Sequence, residues 1–125
     1  MKAVPKSLKN WFILHFLVDL FFAIPLIFAP HWILSSLGVP FTEVITPRLV
    51  GAALIGIGGT SFIARNRSLE TYLTLIDLKL LWSAAAILGL ILSYFETKLI
   101  ATLYLAGIFF VFFLIWSYYK NALKK

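Results

Sequence analysis

Five ionisable residues stand within or beside long apolar stretches of this chain: His15, Asp19, Arg48, Asp77 and Lys79. Charge inside a membrane segment is costly, so such residues mark ligand sites, proton paths or buried pairs. His15 and Asp19 are four apart, which puts them on one face of a helix. An imidazole beside a carboxylate suits proton transfer. At about 1.5 Å per residue, Asp19 lies roughly 15 Å along a helix from both Lys9 and Pro30, which is mid-bilayer. Three roles fit it: a partner for a buried cation, one wall of a ligand site with His15 and Arg48, or a proton carrier.

The other three residues depend on where helices begin. Arg48 stands at a membrane boundary if its helix starts at Pro47. If the helix starts near Thr42, Arg48 is about 9 Å further in and its long side chain reaches toward Asp19. A buried arginine–carboxylate pair would neutralise both charges. Asp77 and Lys79 are two apart, on roughly opposite helix faces, so they do not pair with each other. About 25 Å of helix separates Lys79 from Glu96, close to a whole hydrocarbon core. Lys79 then snorkels to the inner boundary. The alternative embeds the helix from Leu69 and brings Asp77 to the depth of Asp19 and His15.

Other chemistry is excluded. There is no cysteine, so thiol catalysis, disulfides and cysteine metal sites are ruled out. No phosphate loop, zinc motif or nucleophile elbow occurs. We expect no metal and no cofactor. The net charge of +6 is gathered at three places, which bears on membrane topology and not on nucleic acid.

The elements that must position these residues follow from composition. The 125 residues are 62% hydrophobic and 13% charged, with mean hydropathy +0.97. A soluble domain averages about 45–50% apolar and about 25% charged. A spanning helix needs about 20 apolar residues. We therefore expect an all-α, integral membrane four-helix bundle forming one domain over 1–125. Its spans fall at roughly 10–29, 44–65, 70–95 and 98–119, leaving no room for an extramembrane domain. The first span is longer than the apolar core of a signal peptide, contains Asp19 and ends in a poor cleavage site, so it is read as retained. Pro25 within it removes a backbone donor and predicts a kink. Between spans one and two, Trp32 to Leu37 reads either as a short interfacial helix capped by Gly38 or as an irregular loop. In span two, Ala52, Gly56, Thr60 and Ala64 are four apart and form a small-residue stripe. Such a stripe lets a neighbouring backbone approach, so the sequence makes span two the central packing helix, with Gly56 as its tightest point.

Charge asymmetry sets orientation. Lys2, Lys6, Lys9, Arg65, Arg67, Lys120, Lys124 and Lys125 fall on one side of a four-span chain. Arg48 and Lys98 fall on the other, offset by Glu43 and Glu96. The positive-inside rule places both termini in the cytoplasm and the protein in the inner (cytoplasmic) membrane. Trp11, Trp116, Tyr118 and Tyr119 then make an inner aromatic belt, and Trp32 and Tyr94 an outer one.

The run Ala23-Ile24-Pro25-Leu26-Ile27-Phe28-Ala29-Pro30, then Leu37-Gly38-Val39-Pro40, then Arg48-Leu49-Val50-Gly51 opening a glycine-rich helix, resembles the DoxX-like group of small bacterial four-helix membrane proteins, which includes families of unknown function. The resemblance covers nearly the whole chain. It implies a four-helix bundle and, for some relatives, association with respiratory or redox membrane complexes. It supplies no catalytic residues.

Three functions are in play. The first is a binding or accessory protein for an apolar small molecule, a lipid or a membrane partner. The second is a small proton-coupled transporter, working as a homo-oligomer because four helices rarely enclose a pathway alone. The third is a membrane enzyme with Asp19 and His15 as acid and base; it ranks last because no nucleophile, metal set or oxyanion donor accompanies them. The lipid bilayer is a partner in all three, and nucleic acid in none.

Overall fold

In the computed structural model, residues 3–40 and 43–124 are described. Lys2, Thr42 and Lys125 lie outside them. The described residues are all-α: α1 (Lys6–Phe28), α2 (Pro30–Ser36), α3 (Ile45–Ile63), α4 (Leu69–Thr97) and α5 (Ile100–Lys124), with a 3-10 turn, Ala64–Asn66, after α3. Four of the five helices are long and apolar enough to cross a membrane: Lys6–Phe28, Ile45–Asn66, Leu69–Thr97 and Ile100–Lys124. By that length and composition the chain is a multi-pass membrane protein. It forms two compact units divided near Leu69.

The first unit is built on α1 against α3. One face of α1 is buried at Leu8, Phe12, His15, Asp19, Ala23 and Leu26, spaced three and four apart. The facing residues of α3 are Pro47, Gly51, Leu54, Gly58 and Ser61, again three and four apart. Pro25 sits inside α1, which nonetheless continues to Phe28, and the Ala29 N–H closes onto the Pro25 carbonyl at 2.7 Å. Helix α2 ends in a Schellman motif. The Val39 N–H reaches the Leu34 carbonyl (2.8 Å) and the Gly38 N–H the Ser35 carbonyl (3.0 Å), with Gly38 at φ +74. Of the two readings of this stretch, the short helix capped by Gly38 is the one found.

The small-residue expectation is corrected in phase. Ala52, Gly56 and Thr60 are exposed, and a Cβ added at Gly56 meets nothing within 4 Å. The close approach falls to Gly51 and Gly58. A Cβ at Gly51 would lie 2.8 Å from Ile27 Cγ1 and 3.1 Å from the Ala23 carbonyl oxygen. A Cβ at Gly58 would lie 2.8 Å from Asp19 Cβ. The reason is that the buried face alternates steps of four and three, whereas a stripe advancing by four each time starts off that face at Ala52 and meets it only at Ala64, which is buried.

Helix α3 is started by an acid. Both carboxylate oxygens of Glu43 accept from the Thr46 N–H, at 3.2 and 2.9 Å, and a negative charge suits a helix N-terminus. Hydrogen bonds to the side chain and then the backbone of Thr46 lower the Glu43 pKa from its ordinary value. A carboxylate whose pKa is lowered by folding contributes stability above its unfolded pKa of about 4.3 and loses it as pH falls through the folded value. The thermal midpoint of Glu43→Gln in detergent should therefore lie below that of the parent at neutral pH and converge with it in acid. A constant gap down to pH 3 would show that Glu43 is not the cap.

In the second unit, α4 carries Glu70 in its first turn and joins α5 through a short turn. Lys98 takes φ +58 there, its N–H bonded to the Tyr94 carbonyl at 2.7 Å, a left-handed helix cap. The Leu99 N–H then bonds Thr97 Oγ1 at 3.2 Å, and the Thr102 hydroxyl donates to the Leu99 carbonyl at 2.6 Å. Trp82 and Phe109 pack edge to face at 5.9 Å between the two helices. Trp116 and Tyr119, expected in the inner belt, are buried, whereas Tyr118 is exposed.

Candidate functional site: a buried imidazole–carboxylate pair

His15 and Asp19 are each only 5% exposed. Their side chains lie on one face of α1, with His15 Nε2 3.5 Å from Asp19 Oδ1. That separation is at the long limit of a hydrogen bond. A Cβ at Gly58 would stand 2.8 Å from Asp19 Oδ2 and 3.2 Å from its Cγ. The carboxylate thus lies flat against the α3 backbone, at a point where only glycine leaves room for it. Buried Ser61, one turn on, satisfies its hydroxyl on the Ile57 carbonyl at 3.1 Å. Phe16 and Phe62 stack at 4.7 Å beside the pair. Chemically the pair can hold and transfer a proton, or balance charge within the span.

Arg48 does not join it. Helix α3 starts at Ile45, so Arg48 stands in its first turn, where its Nε donates to the Ile27 carbonyl at 3.0 Å. The last carbonyls of α1 lack helical partners and carry the negative end of the helix dipole, so a guanidinium is well placed there. From Asp19 to Ile27 is about 12 Å along α1, and the expected Asp19–Arg48 pair is corrected on that ground.

Asp77 belongs to the second unit and is taken by Lys120 Nζ at 2.6 Å, both side chains part-exposed. Lys79 points elsewhere, as its two-residue offset from Asp77 requires. It does not snorkel to water. It is 1% exposed, with Nζ 5.0 Å from the centre of the buried Trp116 ring, a cation–π distance. The sequence carried a signal for this, because Lys79 shares a face with Tyr72, Ile76 and Ser83, the buried residues of α4. Ala84, Ile87, Phe110 and Phe113 line an open apolar groove in the same unit. Among the described residues no three His, Asp or Glu side chains are grouped to hold a metal ion.

No family model matches the chain, and no curated protein and no solved structure matches it either. The DoxX-like resemblance is therefore not supported. What holds is the coarser description, a small protein with four apolar helices of membrane length.

Proposed function

We propose that the protein is a binding or accessory component of a membrane, acting by docking the exposed small-residue face of α3 against a helix of a membrane partner. One observation carries the reading. Ala52, Gly56 and Thr60 are exposed on a helix apolar enough to span, and a Cβ at Gly56 or at neighbouring Gly59 meets nothing within 4 Å. The one hydroxyl on this face, Thr60 Oγ1, is already bonded to the Gly56 carbonyl at 2.6 Å, so the face offers close backbone approach without a polar penalty. Exposed Leu49, Ile55 and Ile63 flank it and suit an apolar neighbour. We further propose the inner membrane, with the basic Arg65–Arg67 turn and both termini cytoplasmic. The uneven spread of lysine and arginine supports that orientation.

Because the chain has no cysteine, single introduced thiols report cleanly. Gly56→Cys in native membranes should give one discrete cross-linked adduct, lost when Thr60→Leu fills the same face. Ser61→Cys, which faces α1, should give none. An adduct of twice the chain mass identifies a second copy. Thiol labelling from the lipid phase with no adduct at Gly56→Cys overturns the docking reading. In the same series, Asn66→Cys should label from the cytoplasmic side and Gly38→Cys from the opposite side.

A second reading, proton-coupled transport, is favoured by the His15–Asp19 pair alone. It predicts that Asp19→Asn abolishes proton uptake in vesicles while the protein stays folded.

A further inference from the structure

The register of α1 against α3 is fixed at three levels: Ile27 at Gly51, Asp19 at Gly58, and Phe16 at Phe62. The helices run antiparallel, so the register extends toward the start of α1. It sets Ile63 level with Leu14 and His15, so Arg65 in the 3-10 turn and Arg67 just beyond it fall toward the Lys6–Trp11 end of α1. Lys9 and Lys6 follow within the next turn and a half. Four cations, Lys6, Lys9, Arg65 and Arg67, therefore gather at one end of this unit within about 10 Å along its axis. Glu70, three residues beyond Arg67 in the first turn of α4, offsets one of them at most; the described acids of this unit offset none. Asp19 is buried mid-helix, and Glu43 caps α3 at the opposite end. No acid stands in the first turn of α1.

The four cations are not equivalent. Arg65 is committed to the fold: its Nη1 donates to the Phe62 carbonyl at 2.7 Å and its guanidinium lies 4.0 Å from the Phe62 ring centre. Lys6 and Arg67 are exposed and Lys9 is half-buried. The ion pairs found among the described residues, His15–Asp19 and Asp77–Lys120, involve none of these three. Immediately inward lies exposed apolar surface, Ile13, Leu14 and Leu17 on α1 and Phe62 and Ile63 on α3.

We propose that this basic end binds the phosphate of an anionic phospholipid, whose acyl chains lie along that adjoining apolar surface. The planar fork of Arg67 matches a phosphate in two hydrogen bonds, and the lysines add point charge. The cations sit where two spanning helices leave the apolar layer, which is headgroup depth. The apolar surface beside them favours a lipid over a free phosphate. This inference does not rest on the docking reading: Lys6, Lys9 and Arg67 take no part in that face, and only Ile63 borders both.

The test is native mass spectrometry of the delipidated protein in neutral detergent, titrated with phosphatidylglycerol, phosphatidylcholine or inorganic phosphate. We expect phosphatidylglycerol to be retained over phosphatidylcholine, with affinity falling as salt rises. Each neutralised cation should cost about fivefold, so Lys9→Gln/Arg67→Gln should lose about 25-fold. Lys98→Gln, in the other unit, should change nothing. Arg67→Lys should keep part of the affinity, which separates loss of binding from loss of fold. Equal retention of the two lipids, an unchanged double variant, or displacement of the lipid by an equal concentration of inorganic phosphate each overturns the proposal.

Discussion

Replacing Gly58 with leucine is expected to break the α1–α3 pair, whereas the same change at Gly56 leaves it standing. Any side chain at Gly58 starts from a Cβ that would lie 2.8 Å from both Cβ and Oδ2 of Asp19. The Asp19 side chain is buried and cannot swing out to water, so α1 itself must move. Overpacking a tight site costs about 1–3 kcal/mol, and leucine at such a point belongs at or above the top of that range. At Gly56 the added Cβ meets nothing within 4 Å, so within this chain the cost should stay inside about 0.5 kcal/mol. The measurement is the thermal midpoint of both variants in the same detergent. Equal midpoints would show that the Asp19–Gly58 contact is not what sets the distance between these helices. Gly51→Leu should behave like Gly58→Leu, because there the obstacle includes the backbone carbonyl of Ala23.

Asp19→Asn is expected to destabilise the protein by about 1–3 kcal/mol. It keeps the shape of the side chain and removes an acceptor beside buried His15, and a buried polar group that loses its partner costs about that much. A double-mutant cycle locates the effect. His15→Asn combined with Asp19→Asn should be non-additive by more than about 0.5 kcal/mol, the limit for independent sites. Arg48→Gln combined with Asp19→Asn should be additive, because Arg48 serves the Ile27 carbonyl instead. Coupling between Arg48 and Asp19 would restore the pair first expected from the sequence. If Asp19→Asn leaves stability unchanged and abolishes proton uptake, the pair is a transport site and the second functional reading takes precedence.

Much of the architecture could be read because lipid imposes it locally. Four apolar runs, Pro30, Gly38 and the Arg65–Arg67 cluster suffice to divide the chain into four long apolar helices and a short one. The His15–Asp19 pair was legible for the same reason: i, i+4 spacing lies within one helix. Contacts between helices were harder. Gly56 and Gly58 are both glycines in a helix rich in small residues, and their difference is one of rotation about the helix axis. Only the partner, through Asp19, decides which faces inward. Lys79 was misplaced because its burial depends on Trp116, 37 positions away, and depth arithmetic on one helix does not contain that ring. Arg48 depended on the start of α3, which falls at Ile45, between the two starts weighed, with the Glu43 carboxylate on the Thr46 N–H.

The turn around Lys98 bears on how α4 and α5 are held together. Only Lys98 and Leu99 separate α4 from α5, a gap of at most about 10 Å even when extended. A linker this short ties the end of α4 to the start of α5, so the two helices must lie side by side as a hairpin and neither can exchange its neighbour at that end. The pairing of Asp77 with Lys120 is the far clasp of that hairpin, closed only when the second strand of the pair has returned across the membrane. A chain ending at residue 97 would therefore keep α4 without α5, and Asp77 without the lysine it pairs with.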